Sequence, residues 1–160
     1  MKKIRTIGKA TLSLLLCCAM LSCTAFASGQ VEVYHLGDVT ITFGSEPPAI
    51  EPLADEIILL GKDNYTFSSF QEFSVNTKPE DGSDLSLRID NYGNTNIKVL
   101  YTIKVEGEQE LKLKREISPF ANVYGTATSK AGGLKCAVNI QIEPANAGET
   151  CTASICVKQW

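Results

Sequence analysis

Histidine and tryptophan each occur once in 160 residues, and the two methionines, Met1 and Met20, both fall within the first 20. With a single imidazole, His35, and no short signature around any cysteine, the parts for a Cys-His nucleophilic pair are not assembled. No glycine-rich phosphate loop follows a strand-like run, no serine occupies a nucleophile elbow, and no paired-acid motif is present. Basic residues are also few, fifteen Lys and Arg against eighteen Asp and Glu, and they form no stripe. Phosphate binding needs clustered Lys and Arg, so nucleic acid is not an expected partner, and nothing pulls the chain toward anionic lipid. Beyond the N-terminal region, the apolar run at residues 57–60 is far shorter than the roughly 20 residues of a membrane-crossing helix.

The first 27 residues are different. Lys2, Lys3, Arg5 and Lys9 precede a largely apolar stretch at residues 11–21, and Ala25-Phe26-Ala27 supplies small residues for cleavage. The expectation is a signal peptide cleaved after Ala27 and a secreted product, extracellular or at the cell surface. A second route competes, because Met20-Leu21-Ser22-Cys23 resembles the bacterial lipobox, although Leu21 stands where that motif has a small residue. The resemblance implies lipidation of Cys23 and a membrane-surface anchor. Without residues 1–27 the chain carries eleven basic residues against eighteen acids, a net charge of −7. Residues 28–75 hold eight of those acids and one base, Lys62, whereas residues 76–160 hold ten of each sign.

From Leu85 onward apolar residues recur with a period of two, the mark of half-buried strands. Leu85, Leu87 and Ile89 alternate with polar neighbours, as do Ile97, Val99, Tyr101, Ile103 and Val105, with Leu100 the one apolar exception. Leu111, Leu113 and Ile117 continue the pattern, and Leu134, Cys136, Val138, Ile140 and Ile142 give its clearest form. Turn chemistry separates the runs at Gly82, Gly93-Asn94, Gly107, Gly132-Gly133 and Gly148. Adding strands near residues 67–75 and 123–129, the expectation is an all-β, immunoglobulin-like antiparallel sandwich of about seven strands over residues 65–160. The pattern is similar to the Ig-like modules common on bacterial surface proteins, a fold-level likeness that implies no function. Residues 28–64 read as an acidic, proline-containing segment with one β-hairpin around Gly37-Asp38, and the apolar run at residues 57–60 favours packing on the sandwich.

Candidate sites reduce to turn chemistry and cysteines. Glu80, Asp81 and Asp84, and again Asp90, Asn91, Asn94 and Asn96, supply loop oxygens. Neither set has a calcium-loop spacing, and turns favour the same residue types. The charge run between Glu106 and Glu116 suits an edge strand that discourages further pairing. Trp160 reads as a cap on the sandwich or an exposed aromatic. Cys136, Cys151 and Cys156, with His35, match zinc by count but not by spacing, so neither metal nor cofactor is expected.

If residues 136–143 and 150–157 form one hairpin, Cys136 faces Val157 and Ile142 faces Cys151, leaving Cys136 and Cys151 too far apart to bond. A one-residue bulge would bring Cys136 beside Cys156, the disulfide this register allows. A Cys136–Cys151 bond and three free thiols remain the alternatives. The functional expectation is a bacterial binding or structural envelope protein without catalysis, its partner an unknown protein or cell-surface ligand. A lipid-anchored version, or a secreted hydrolase whose carboxylates meet only in the fold, is the alternative.

Overall fold

In the computed structural model, the described residues are 24–25, 31–45 and 56–160. The Ala27 cleavage site and the lipidation candidate Cys23 lie outside them. The described strands are β1 (Thr24–Ala25), β2 (Glu32–Leu36), β3 (Val39–Gly44), β4 (Ile57–Phe67), β5 (Gln71–Asn76), β6 (Asp84–Asn91), β7 (Ile97–Val105), β8 (Leu111–Ile117), β9 (Asn122–Ser129), β10 (Cys136–Pro144) and β11 (Cys151–Gln159). A single 3₁₀ turn, Pro79–Asp81, precedes β6. Among the described residues no helix is long and apolar enough to cross a membrane.

Two sheets form. In the first the order is β8-β7-β10-β5, antiparallel throughout, with the two-residue β1 parallel along the β8 edge. In the second the order is β2-β3-β9-β6-β11-β4, also antiparallel. The period of two explains the layering. On β7, β9, β10 and β11 every second side chain is buried, and these inward rows form one hydrophobic core. Phe43 of β3 meets Tyr101 of β7 across the layers, ring centroids 5.0 Å apart. Gly125 leaves room for that ring: a Cβ there would stand 2.7 Å from the Phe43 Cε1 atom.

Three expectations are corrected. Residues 65–160 hold seven whole strands, β5 to β11, but the sandwich extends further, because β2, β3 and β4 also join the second sheet and the run at residues 67–75 breaks into the end of β4 and β5. The boundary at residues 64/65 consequently falls inside β4. The hairpin around Gly37-Asp38 does form, as β2–β3, with its turn supported by the positive φ of Gly37. The larger correction concerns the last two strands: β10 pairs with β5 and β7, and β11 pairs with β4 and β6. They belong to opposite sheets and form no hairpin. From β4 onward only β7–β8 stays within a sheet; each other connection crosses the core. An alternating pattern reports which side chains point inward, and strands of either sheet satisfy it equally.

Candidate functional site

The crossing topology gathers the connections at residues 68–70, 92–96, 118–121 and 145–150 at one end of the sandwich. Asn91, buried at the end of β6, organises two of them. Its Nδ2 donates to the carbonyls of Thr95 at 2.8 Å and of Ile117 and Ser118 at 3.0 Å, while its Oδ1 accepts the Gly93 N–H at 3.0 Å. A buried amide with its groups satisfied fixes loop geometry, since leaving any of them unpaired would cost roughly 1–3 kcal/mol.

Three of these four connections carry exposed aromatics: Phe70 at 50%, Tyr92 at 49% and Phe120 at 74% relative exposure. Phe120 is the most unusual. The Ala121 N–H donates to the Ser118 carbonyl at 3.2 Å, closing a turn with Pro119 in its second position and Phe120 in its third, at φ 59°. That third position favours glycine, because a Cβ in the left-handed region costs about 1–2 kcal/mol. A strained, solvent-facing phenylalanine adds nothing to the core.

Phe70 also forms one wall of a cleft of about 240 Å³ on the outer face of the first sheet, lined as well by Lys98, Leu100, Lys114, Gln141 and Glu143. The pairing register builds it. Leu100 stands opposite Lys114 on β8 and Gln141 on β10, and Lys98 stands opposite Glu143. Lys98 Nζ is anchored to the Ala145 carbonyl at 2.7 Å.

A polar cluster lies within the sandwich between β8 and the edge strand β2. Arg115 is only 3% exposed; its Nη2 donates to Glu32 Oε2 at 2.5 Å, and Glu32 also accepts from the Tyr34 hydroxyl. The guanidinium sits 5.9 Å from the Phe43 ring centroid. Burial, then the Glu32 hydrogen bond, pushes the Tyr34 phenol above its ordinary range. The Tyr101 hydroxyl, fully buried with no hydrogen-bond partner among the described residues, is raised further by desolvation. This cluster clamps the two sheet edges together. Its one carboxylate is engaged by a cation, so it does not supply the two converging acids that the hydrolase alternative requires.

The residues singled out from sequence are dispersed. Cys136 is buried on the inner face of β10, Cys151 on the inner face of β11, and Cys156 points outward from β11 beside Arg88 and Gly61. All three thiols are free. The Cys136–Cys156 bond is therefore corrected: the two strands lie in opposite sheets and the Cys156 side chain faces away from the core. Desolvation raises both thiols, and the Thr77 hydroxyl, 3.7 Å from Cys136 Sγ, offsets part of the effect there. His35 is exposed, its Nδ1 3.2 Å from Thr40 Oγ1. Asp84 accepts from Ser83 and Thr128, and Asp90 pairs with Arg88 at 2.7 Å. Among the described residues no cluster of His, Cys, Asp or Glu is arranged to hold a metal ion. Within the charged run, Lys112 and Lys114 are exposed as an edge strand wants, but Arg115 turns inward because it shares the face of Leu113 and Ile117.

Sequence reasoning missed the aromatic end. Its visible signals were Pro119-Phe120 and Asn91-Tyr92-Gly93, aromatics embedded in turn residues, and Leu100 breaking the polar rhythm of β7.

No family model and no curated protein matches the chain. One solved structure, the enzymatically active domain of tailspike protein 4 of bacteriophage CBA120, is similar at 12% sequence identity and a TM-score of 0.35, covering 82% of this chain and 19% of that one. The chain thus spans about a fifth of that protein's length, and a likeness at this level carries no functional argument.

Proposed function

We propose that this chain is an exported, surface-associated bacterial protein, an antiparallel β-sandwich that acts by binding through its aromatic loop end, without catalysis. The observation carrying the reading is Phe120, held strained and exposed at the same end of the sandwich as the turns that bear Tyr92 and Phe70. Full burial of such a side chain is worth roughly 1.5–3 kcal/mol, and the exposed half to three quarters of each ring leaves that share of it available to a partner. The sheet order departs from the immunoglobulin-like arrangement expected from sequence, in which the last two strands are neighbours in one sheet: here β11 lies between β6 and β4 while β10 lies between β7 and β5 in the other sheet. Export is supported by the basic start, apolar stretch and Ala25-Phe26-Ala27 of residues 1–27.

Co-sedimentation of the purified protein with isolated bacterial cell envelopes tests the reading. Binding should fall at least tenfold in the Phe70→Ala, Tyr92→Ala, Phe120→Gly triple variant with the melting transition retained. Unchanged binding by the folded variant would overturn it, as would retention of the full chain in the cytoplasm on fractionation.

A further inference from the structure

The outer face of the first sheet is polar almost everywhere. Lys112, Lys114 and Glu116 project from β8, Lys98, Thr102 and Lys104 from β7, Asn139, Gln141 and Glu143 from β10, and Glu72 and Ser74 from β5. Leu100 is the one large aliphatic side chain among them, and it lies in the cleft that Phe70 walls. Directly across from Leu100, the Lys114 ammonium has no ion-pair partner among the described residues. Lys112, two residues away, is paired with Glu110 at 2.9 Å.

We propose that this cleft binds a single carboxylated sugar ring, a uronic-acid unit of a surface polysaccharide, with its apolar face against Phe70 and Leu100 and its carboxylate on Lys114. Resting on the binding role proposed above, this names the ligand class for the cleft. Three features select that chemistry. The volume of about 240 Å³ lies below the roughly 300 Å³ at which pockets for drug-sized ligands begin, so it suits one ring. The floor and wall combine an aliphatic and an aromatic surface, matching the C–H face of a pyranose. The rim offers a cation from Lys114, an amide from Gln141 and a carboxylate acceptor from Glu143, so a ligand with hydroxyls and one negative charge satisfies the groups it desolvates. A plain apolar carboxylate would leave the Glu143 carboxylate and the Gln141 carbonyl oxygen unmatched, the Gln141 Nε2 already donating to Glu72 Oε1 at 3.4 Å, and unmatched polar groups are what such sites reject. The Lys98 ammonium, also in the lining, donates one N–H to the Ala145 carbonyl and keeps its charge, so it adds to the positive field in which Lys114, directly across from Leu100, receives the carboxylate.

The experiment is an amide chemical-shift titration of the ¹⁵N-labelled exported protein with glucuronate, glucose, acetate and benzoate. Glucuronate should give saturable shifts at Leu100 and Gln141 with a dissociation constant on the order of 1 mM, as a ligand of one ring allows. Glucose and acetate should each bind at least tenfold more weakly. Lys114→Gln should abolish the preference for glucuronate over glucose, Phe70→Ala should weaken both sugars about tenfold, and Lys112→Gln should change neither. Absence of saturable shifts in the cleft overturns the proposal, and so does benzoate binding as tightly as glucuronate. Envelope binding that depends on Tyr92 and Phe120 without glucuronate binding overturns this inference alone, whereas loss of envelope binding altogether removes the wider reading.

Discussion

Phe120 pits local conformation against exposure. Its backbone occupies a region where glycine is at ease, and its ring is 74% exposed, so the folded state gains little from keeping it. Phe120→Gly should therefore stabilise the protein by about 0.5–1 kcal/mol, the relief of left-handed strain less the added flexibility of the unfolded chain. Urea unfolding would read this as a higher midpoint at unchanged slope. A lower midpoint would mean that the ring packs in solution. Stability gained together with binding lost is the expected signature of a residue retained for function. The sequence holds part of this information. Ser118-Pro119 announces a turn, but the sign of φ at the next residue depends on how the chain must cross from β8 to β9, and side-chain identity argues against the value adopted. Leu100 was legible as an anomaly in β7; the presence of Phe70 beside it was not, since that proximity is made by the crossing from β4 to β5.

At the scale of strands, a period of two identified β6, β7, β8 and β10 closely because half-buried strands require it, whereas β9 and β11 entered as an added strand and as the second arm of an assumed hairpin. Sheet membership has no such signature. Residues 136–144 and 151–159 alternate with equal regularity and are joined by a short, Gly-containing connection, so a hairpin and an inter-sheet crossing look alike in sequence. Contacts with strands far away in the chain decide between them: β10 is captured between β5 and β7, and β11 between β4 and β6. Cysteine accessibility distinguishes the two arrangements. Among the three described cysteines, native protein treated with iodoacetamide should be alkylated at Cys156 alone, and slowly, because desolvation raises that thiol and so lowers its thiolate fraction. Cys136 and Cys151 should react only after denaturation, and mass should be the same before and after reduction. Any product retaining a Cys136–Cys156 bond would place the last strand in the wrong sheet.

For the molecule as a whole, the N-terminal hairpin β2–β3 completes the second sheet and closes the core over Tyr101, and it is tied down at two points. One is the Arg115–Glu32 pair. The other is Asp38 in its turn, which accepts the Ser129 hydroxyl at 3.0 Å and the Ala131 N–H at 3.2 Å. The hydroxyl first and the backbone amide second favour the carboxylate, holding the Asp38 pKa below its ordinary value. A depressed native pKa contributes stability that is fully present above the unfolded value, near 4, and is lost as pH falls through the native value. The side chain is exposed, so the contribution is modest and salt-sensitive. Urea midpoints measured from pH 6 to pH 2.5 should thus fall more steeply for the native protein than for Asp38→Asn, with the curves drawing together as the Asp38 carboxylate takes up its proton. Parallel curves would mean that Asp38 does not hold the β2–β3 turn against the β9–β10 connection. The hairpin would then depend on the β3–β9 ladder with the buried Val39 and Ile41, the Phe43–Tyr101 contact and the Arg115–Glu32 pair, and truncation of Phe43, at about 3–5 kcal/mol for a buried ring, would loosen it.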